Sequence, residues 1–462
     1  VITPVHVVGG GFAGAAAAVG LADAGLPVVL WEAGPTPGGR ARGFFDPDSG
    51  ETLDNGPHLF AGCYRRTRSL LARLGTADGL AFQERLRVPM RVDGADRGLV
   101  CPPLPGPAAL VLGLMGLGPL SFRERLRLLR AGHALRRPQA RSQAPDGTVA
   151  EWLAGLGMPP AAGRLLWDPL CRAVMNLPPE EADAAVFARA LKMALLGDRG
   201  EARLGWARNG LGALLGNALG KHLAARGGEV RRDRVTGLTL EAAGGRVTGV
   251  VASGGPVAAQ RVVLAVDAFA ARALLPADGR LTSLAAALGA MRPAPIVSTY
   301  LWLDRPVVPL PRDTPFVGLV QDASAGAGAA EWVFDRDRMA GGAGHHIGDG
   351  GQRLATVASC ADALAELPAD RVVERVRRDL AGAFPKLARA RVARARVVKE
   401  RRATVRITPG LVRPAPGAVP GVPGLFLCGD YTGTGLPATV EGAVVSGEAA
   451  ARAVLAPQGV SP

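Results

Sequence analysis

Aromatic side chains make up only 5% of this 462-residue chain, with three tyrosines among them, and charged residues only 20%. The first shortage removes the platforms on which single-stranded nucleic acid stacks, and the arginines are spread without a recognisable nucleic-acid module, so no nucleic-acid partner is expected. The second, beside 48% hydrophobic residues, excludes a disordered chain. Five cysteines (Cys63, Cys101, Cys171, Cys360, Cys428) form an odd, widely spaced set with no C-x-x-C pair. Buried thiols in a reducing, cytoplasmic compartment are expected, not a disulfide framework. No uninterrupted apolar run reaches the roughly 18 residues of a membrane span. The nearest, Leu104 to Leu120, is broken by Pro105, Pro107, Pro119 and four glycines, and is expected to cover or dip into a membrane without crossing it. No signal peptide is expected either, because the apolar start of the chain reads as part of a fold.

What is abundant is Ala, Gly, Pro and Arg. The net charge of +14 and pI near 10.7 point to an anionic partner, of which an acidic membrane surface is the stronger candidate. The length suits two domains.

The most informative stretch is Val5-His6-Val7-Val8-Gly9-Gly10-Gly11-Phe12-Ala13-Gly14. It predicts a buried strand, a glycine turn at G-x-G-x-x-G spacing (Gly9, Gly11, Gly14), and a helix whose N-terminus receives a pyrophosphate. A second strand, Val28 to Trp31, ends at Glu32, where a carboxylate accepts from both ribose hydroxyls and disfavours a 2′-phosphate; the nucleotide is therefore FAD or NAD. Then comes Gly38-Gly39-Arg40, a second glycine pair with a cation, suited to close backbone approach and a guanidinium on phosphate.

Leu53-Asp54-Asn55-Gly56-Pro57-His58 puts an acid and one of only six histidines around a Gly-Pro turn. Asp54 or His58 can move a proton beside a cofactor, or the loop is an Asx-type turn with a hydrogen-bonded histidine. From about residue 64 to 200 the pattern is helical. Ser121 to Arg137 combines Phe122, Leu126, Leu129 and Leu135 with many arginines, a basic amphipathic helix that is either solvated or membrane-facing. Leu165 to Pro178 reads as core or the wall of an apolar pocket. Leu211 to Leu223 has helical spacing, and His222 on it is a structural histidine. Strand-like Val235 to Leu240, Val247 to Ala252 and Arg261 to Val266 return the chain to the nucleotide fold. His345 and His346 in a Gly-rich segment read as loop, with no metal site expected. No second glycine fingerprint occurs.

The C-terminal Leu425 to Cys428 strand, Gly429-Asp430, a glycine loop and a helix starting near Ala438 complete the pattern. Asp430 can hold ribityl or phosphate-proximal hydroxyls, and the helix N-terminus can stabilise negative charge on a reduced flavin.

These residues resemble the FAD-dependent amine oxidase and phytoene desaturase superfamily over nearly the whole chain. Within it the chain is similar to bacterial hydroxysqualene dehydroxylases (squalene-associated FAD-dependent desaturases), through Leu53-Asp54-Asn55-Gly56-x-His58, Leu166-Trp167-x-Pro169-Leu170-Cys171 with Asn176, Glu400 to Thr404, and Gly429-Asp430 through Glu441. Pro57 departs from the Gln usual there. The resemblance implies an α/β fold, a Rossmann-type, glutathione-reductase-like FAD domain (1–63, 200–268, 397–462) with a discontinuous α+β substrate domain (64–199, 269–396) and a membrane-docking segment at 104–137. It implies FAD contacts from Gly9, Gly11, Phe12, Ala13, Gly14, Glu32, Ala33, Gly38, Gly39, Arg40, Gly56, Pro57, His58, Val235, Gly429, Asp430, Pro437, Ala438, Thr439 and Val440. It further implies a C30 isoprenoid substrate, hydroxysqualene reduced to squalene toward hopanoids, NAD(P)H or a reductase partner as electron donor, and peripheral contact with the inner face of the cell membrane. Asp54 or His58 would be the proton donor or hydroxyl-orienting group. A carotenoid or dehydrosqualene desaturase, running electrons the other way, is the alternative. An amine oxidase ranks lower because three tyrosines leave little for an aromatic cage.

Overall fold

The computed structural model describes residues 3–456 except 93, 105–106, 119, 137–145, 196, 198–200, 311–312, 321–327 and 342–349. The loop with His345 and His346 lies outside the described residues. A six-stranded sheet forms one half, in the order Glu229–Arg231, Val28–Trp31, Val5–Val8, Val262–Leu264, Leu425–Leu427, Gly417–Ala418, parallel except for the last strand. Its central strands are fully buried and rich in Val and Leu because helices cover the sheet. Phe12–Asp23 packs on the closing helix Val440–Leu455 through small residues, and a Cβ at Gly447 would sit 2.1 Å from the Ala13 carbonyl oxygen. The helix expected over 211–223 spans Gly212–Ala224.

The other half is a seven-stranded sheet in the order Val392–Val405, Pro293–Leu303, Gln352–Ser359, Trp332–Asp335, Phe316–Val320, Arg87–Val92, Ala95–Val100. Period-two alternation along Pro293–Leu303 divides its faces. Val297, Leu301 and Leu303 pack on the helix Ala369–Ala383, whereas Tyr300 and Trp302 join a core shared with the helical segment that includes Trp167, Cys171, Met175 and Phe187.

Two expectations need correction. A domain boundary at 396/397 falls inside the strand Val392–Val405, which pairs with Pro293–Leu303 along its length, so 397–405 belongs with the seven-stranded sheet. Val235 precedes its strand, which runs Gly237–Leu240. A small sheet of Leu59–Ala61, Leu204–Ala207 and Leu80–Phe82 stitches the halves together.

Among the described residues no helix is long and apolar enough to cross a membrane. Phe122–Arg136 buries Leu128, Ala131 and Leu135, whereas Phe122 and Leu126 are 64% and 45% exposed, as are Leu104, Val111 and Leu112.

Candidate functional site

The glycine turn owes its form to close backbone approaches. Gly9 has φ +109°, and a Cβ there would lie 2.8 Å from the Ala265 carbonyl oxygen; at Gly14 it would lie 1.9 Å from that of Gly9. The following helix starts with Gly11 as N-cap, no side-chain cap and no acid in its first turn. Its leading N–H groups, at Phe12, Ala13 and Gly14, are left for an anion. Gly38, φ +145°, donates to the Gly10 carbonyl (2.9 Å), and a Cβ on Gly39, φ +58°, would meet the Gly11 Cα at 3.1 Å. The two glycine turns therefore face each other without side chains between them.

Glu32 closes this cradle, accepting from Gly10 N (3.1 Å) and Gly34 N (2.7 Å), with Ala33 exposed between. Arg40 donates to the Asp430 carboxylate and to the Ala403 carbonyl, both at 2.6 Å. Two expected cofactor residues 390 positions apart are thus one ion pair, and the guanidinium expected on phosphate is tied first to the acid. Gly429, φ +152°, has room only because it lacks a Cβ, which would strike the Tyr431 ring. After Pro437 and Ala438, Thr439 caps the closing helix by accepting from Gly442 N (3.2 Å), so the helix begins at Val440, two residues past the expected start. Glu441, in the first turn, is turned away: it accepts from Arg66 N, Thr67 N and the Thr67 hydroxyl, capping the helix Arg65–Arg73.

Asp54 ends the strand Glu51–Asp54 with its carboxylate on Leu211 N (2.8 Å) and its carbonyl on the Tyr300 hydroxyl (2.7 Å). Burial raises its carboxyl to about 6 against the opposing pull of that N–H. His58 sits edge-on to Phe60 at 5.2 Å, its Nε2 is buried without a partner, and burial lowers its pKa to about 4. The imidazole is therefore neutral at physiological pH. Gly56, φ +151°, lies against Ser298, whose buried Oγ also has no partner; Asn55 reaches Glu400 at 2.8 Å. Pro57 leaves this loop one N–H short.

Sequence reasoning missed Ser298, Tyr300 and the role of Trp167, whose buried indole N–H has no partner at the end of the π-helical turn Gly163–Trp167. Nothing in their local pattern distinguishes them from core. Asn176, singled out by resemblance, is a stitch. At φ +52° it ends the helix Asp168–Met175, donates to Ala294 O (3.1 Å) and Thr404 Oγ1 (2.9 Å), and accepts from Cys360 N (2.7 Å).

The family model described as flavin containing amine oxidoreductase matches residues 12–455. The chain belongs to this family. Among curated members of the flavin amine oxidoreductases and their kin, it is 31% identical to a hydroxysqualene dehydroxylase of Sinorhizobium fredii, covering 97% of both chains. It is 24% identical to a 15-cis-phytoene desaturase of Narcissus pseudonarcissus, covering 98% of this chain and 79% of that one. An oxidoreductase from Methanosarcina mazei shares the fold, with TM-score 0.70 at 17% identity, covering 98% and 99% of the two chains. The protein is thus an FAD-dependent oxidoreductase of mixed α/β fold. The residues present fit FAD: the flavin amine oxidoreductase cradle has an uncapped helix N-terminus, two side-chain-free glycine turns and a ribose-level acid, with the unpartnered His58 Nε2 on the Asp54 loop.

Proposed function

We propose that the protein reductively removes the hydroxyl of hydroxysqualene, or a closely similar C30 allylic alcohol, to give squalene. What carries this reading is the likeness to the Sinorhizobium fredii dehydroxylase across the whole chain, against the lower identity to the desaturase. The three tyrosines support it against an amine oxidase: Tyr300 is bound to Asp54 O, Tyr431 is fully buried, and Tyr64 is half-buried and bonded to Thr439.

When bound and reduced, FAD would supply hydride chemistry at this site. The chain's own residues do the rest. Gly9 to Gly14, Glu32, Gly38 to Arg40, Val235, Gly429, Asp430 and Pro437 to Val440 would hold the cofactor. Neutral His58 orients the substrate hydroxyl from the loop Gly56-Pro57-His58. Asp54, with its pKa near 6, gives the proton that lets the hydroxyl leave as water, and the buried apolar cluster of Trp167, Met175 and Phe187 excludes solvent from the resulting allylic cation. NAD(P)H or a reductase partner returns the electrons.

A C30 chain costs on the order of 20 kcal/mol to expose to water at roughly 0.8 kcal/mol per CH₂. The substrate is therefore taken from a bilayer. Exposed Leu104, Val111, Leu112, Phe122 and Leu126 enter the inner face of the cell membrane while Arg123 and Arg127 face anionic headgroups. Arg125 has another task, donating to Leu120 O and Met115 O.

The deciding experiment is anaerobic. The enzyme is chemically reduced, hydroxysqualene is added, and reoxidation is followed near 450 nm with mass analysis of the product. Stoichiometric reoxidation with squalene supports the reading. Silence there, with bleaching of oxidised enzyme by a polyene precursor, replaces it with a desaturase.

A further inference from the structure

Arg413 lies between the strands Val392–Val405 and Leu425–Leu427, in a stretch without a motif. Its three nitrogens all donate to main-chain carbonyls of one loop: Nε to Tyr431 O (2.9 Å), Nη1 to Leu436 O (2.8 Å) and Nη2 to Asp430 O (2.9 Å). That loop joins Gly429 to the N-cap Thr439 and so carries the flavin end of the cradle.

The charge on Arg413 is poorly compensated. Burial lowers its pKa to about 10, and the two carboxylates that act on it, Asp430 and Asp183, do so through space. Asp430 is paired with Arg40, and Asp183 caps its own helix through Val186 N at 2.8 Å. Glu441 faces the other way, onto Thr67. Arg413 therefore adds a net positive charge to the same end of the site as the N-terminus of the 16-residue helix Val440–Leu455. An amide or water would satisfy carbonyl groups without the cost of desolvating a guanidinium. The charge, not only the hydrogen bonds, calls for a role.

We propose that Arg413 is the positioning residue of the flavin end: it fixes the 430–436 loop through its carbonyls and, as a half-buried cation, makes the site prefer reduced over oxidised FAD. The preference serves any reaction that gives hydride to substrate, but its measurement requires no substrate. Failure of the dehydroxylation assay and failure of this proposal are therefore separate outcomes.

The test is a redox titration of the FAD-loaded protein, with FAD affinity by fluorescence and a thermal melt as controls. In Arg413→Gln the preference for reduced FAD falls about tenfold, equivalent to about 30 mV of midpoint potential for a two-electron couple. Arg413→Lys keeps the charge and stays near the parent potential. Asp183→Asn retains a competent helix cap but removes a negative charge acting on Arg413, and shifts the potential upward. An unchanged potential in folded, FAD-bound Arg413→Gln, or an equal fall in Gln and Lys variants, overturns the proposal and leaves Arg413 a loop staple. Should Arg413→Gln lose FAD, Asp183→Asn decides alone: an upward shift supports the proposal and no shift overturns it.

Discussion

Around Gly9, Gly14 and Gly39 the site is made of main chain, and what matters is the side chain that is absent. Around Asp54 and His58 it is made of side chains whose partners, Leu211, Tyr300, Glu400 and Ser298, come from distant parts of the sequence. The first kind of site is intolerant of any added atom. The second is sensitive to charge, because its groups are buried and incompletely paired. The contrast explains why a dinucleotide cradle can be shared widely within a family while the opposite wall is free to change substrate.

The comparison is broken most severely at Gly14. Gly14→Ala would place a methyl group 1.9 Å from the Gly9 carbonyl oxygen, and the FAD content of purified protein should fall by at least about tenfold, read from the flavin-to-protein absorbance ratio. A well-folded Gly14→Ala protein with full FAD would mean that the turn is more plastic than its contacts imply.

On the side-chain half the expected effects depend on pH. His58 has a folded pKa near 4, below its ordinary 6.5, so the folded state binds fewer protons than the unfolded one and stability is lost as pH falls from about 6.5 to 4. The loss is up to about 3 kcal/mol. Asp54, raised from 3.8 to about 6, acts oppositely: its contribution is present at low pH and lost as pH rises from about 4 to 6. The two nearly cancel in the parent protein. His58→Gln should therefore steepen the gain in stability on acidification, and Asp54→Asn should steepen the loss, in denaturant titrations at pH 4.5 and 7. Parallel curves for the two variants would show that neither group is buried as described.

Asn176→Ala removes three hydrogen bonds that join the helical layer to the seven-stranded sheet, and puts a Cβ-bearing residue with no local side-chain bond at φ +52°. A loss of about 2–3 kcal/mol is expected, and Asn176→Gly should recover part of it because glycine accepts that backbone conformation. The smallest effect is expected at the surface. Arg123→Glu with Arg127→Glu should reduce co-sedimentation with anionic liposomes, each basic residue near such a surface contributing about 1 kcal/mol, while leaving the melting temperature unchanged. Undiminished co-sedimentation would remove the helix Phe122–Arg136 from the membrane face.

The same contrast decides what could be read before the fold was known. The strand, glycine turn, helix and ribose-level acid lie within Val5 to Glu32, and their spacing carries the geometry because each contact is local or passes through backbone. The strand Val392–Val405 was cut at 396/397 because the arginines along it obscure the alternation of a half-exposed strand. Ser298 has no local signal, and Trp167 is marked only by its place in Leu166-Trp167-x-Pro169: a hydroxyl and an indole N–H become notable only when packing leaves them without partners. Asp54 was legible as a candidate, but its bond to Leu211 spans 157 residues, a relation that only tertiary structure creates.

The 14-residue strand Val392–Val405 does more than close a sheet. Its register against Pro293–Leu303 is interrupted next to Ala294 and next to Trp302, and such irregularities act like notches that stop one ribbon from sliding along another. From the stretch between those notches Glu400 reaches Asn55, and near the far one the Ala403 carbonyl meets Arg40. The strand is a measuring tape pinned at both ends: it sets how far the seven-stranded sheet stands from the Asn55 loop and Arg40, and lengthening it by one residue would change that distance without altering either end's own residues.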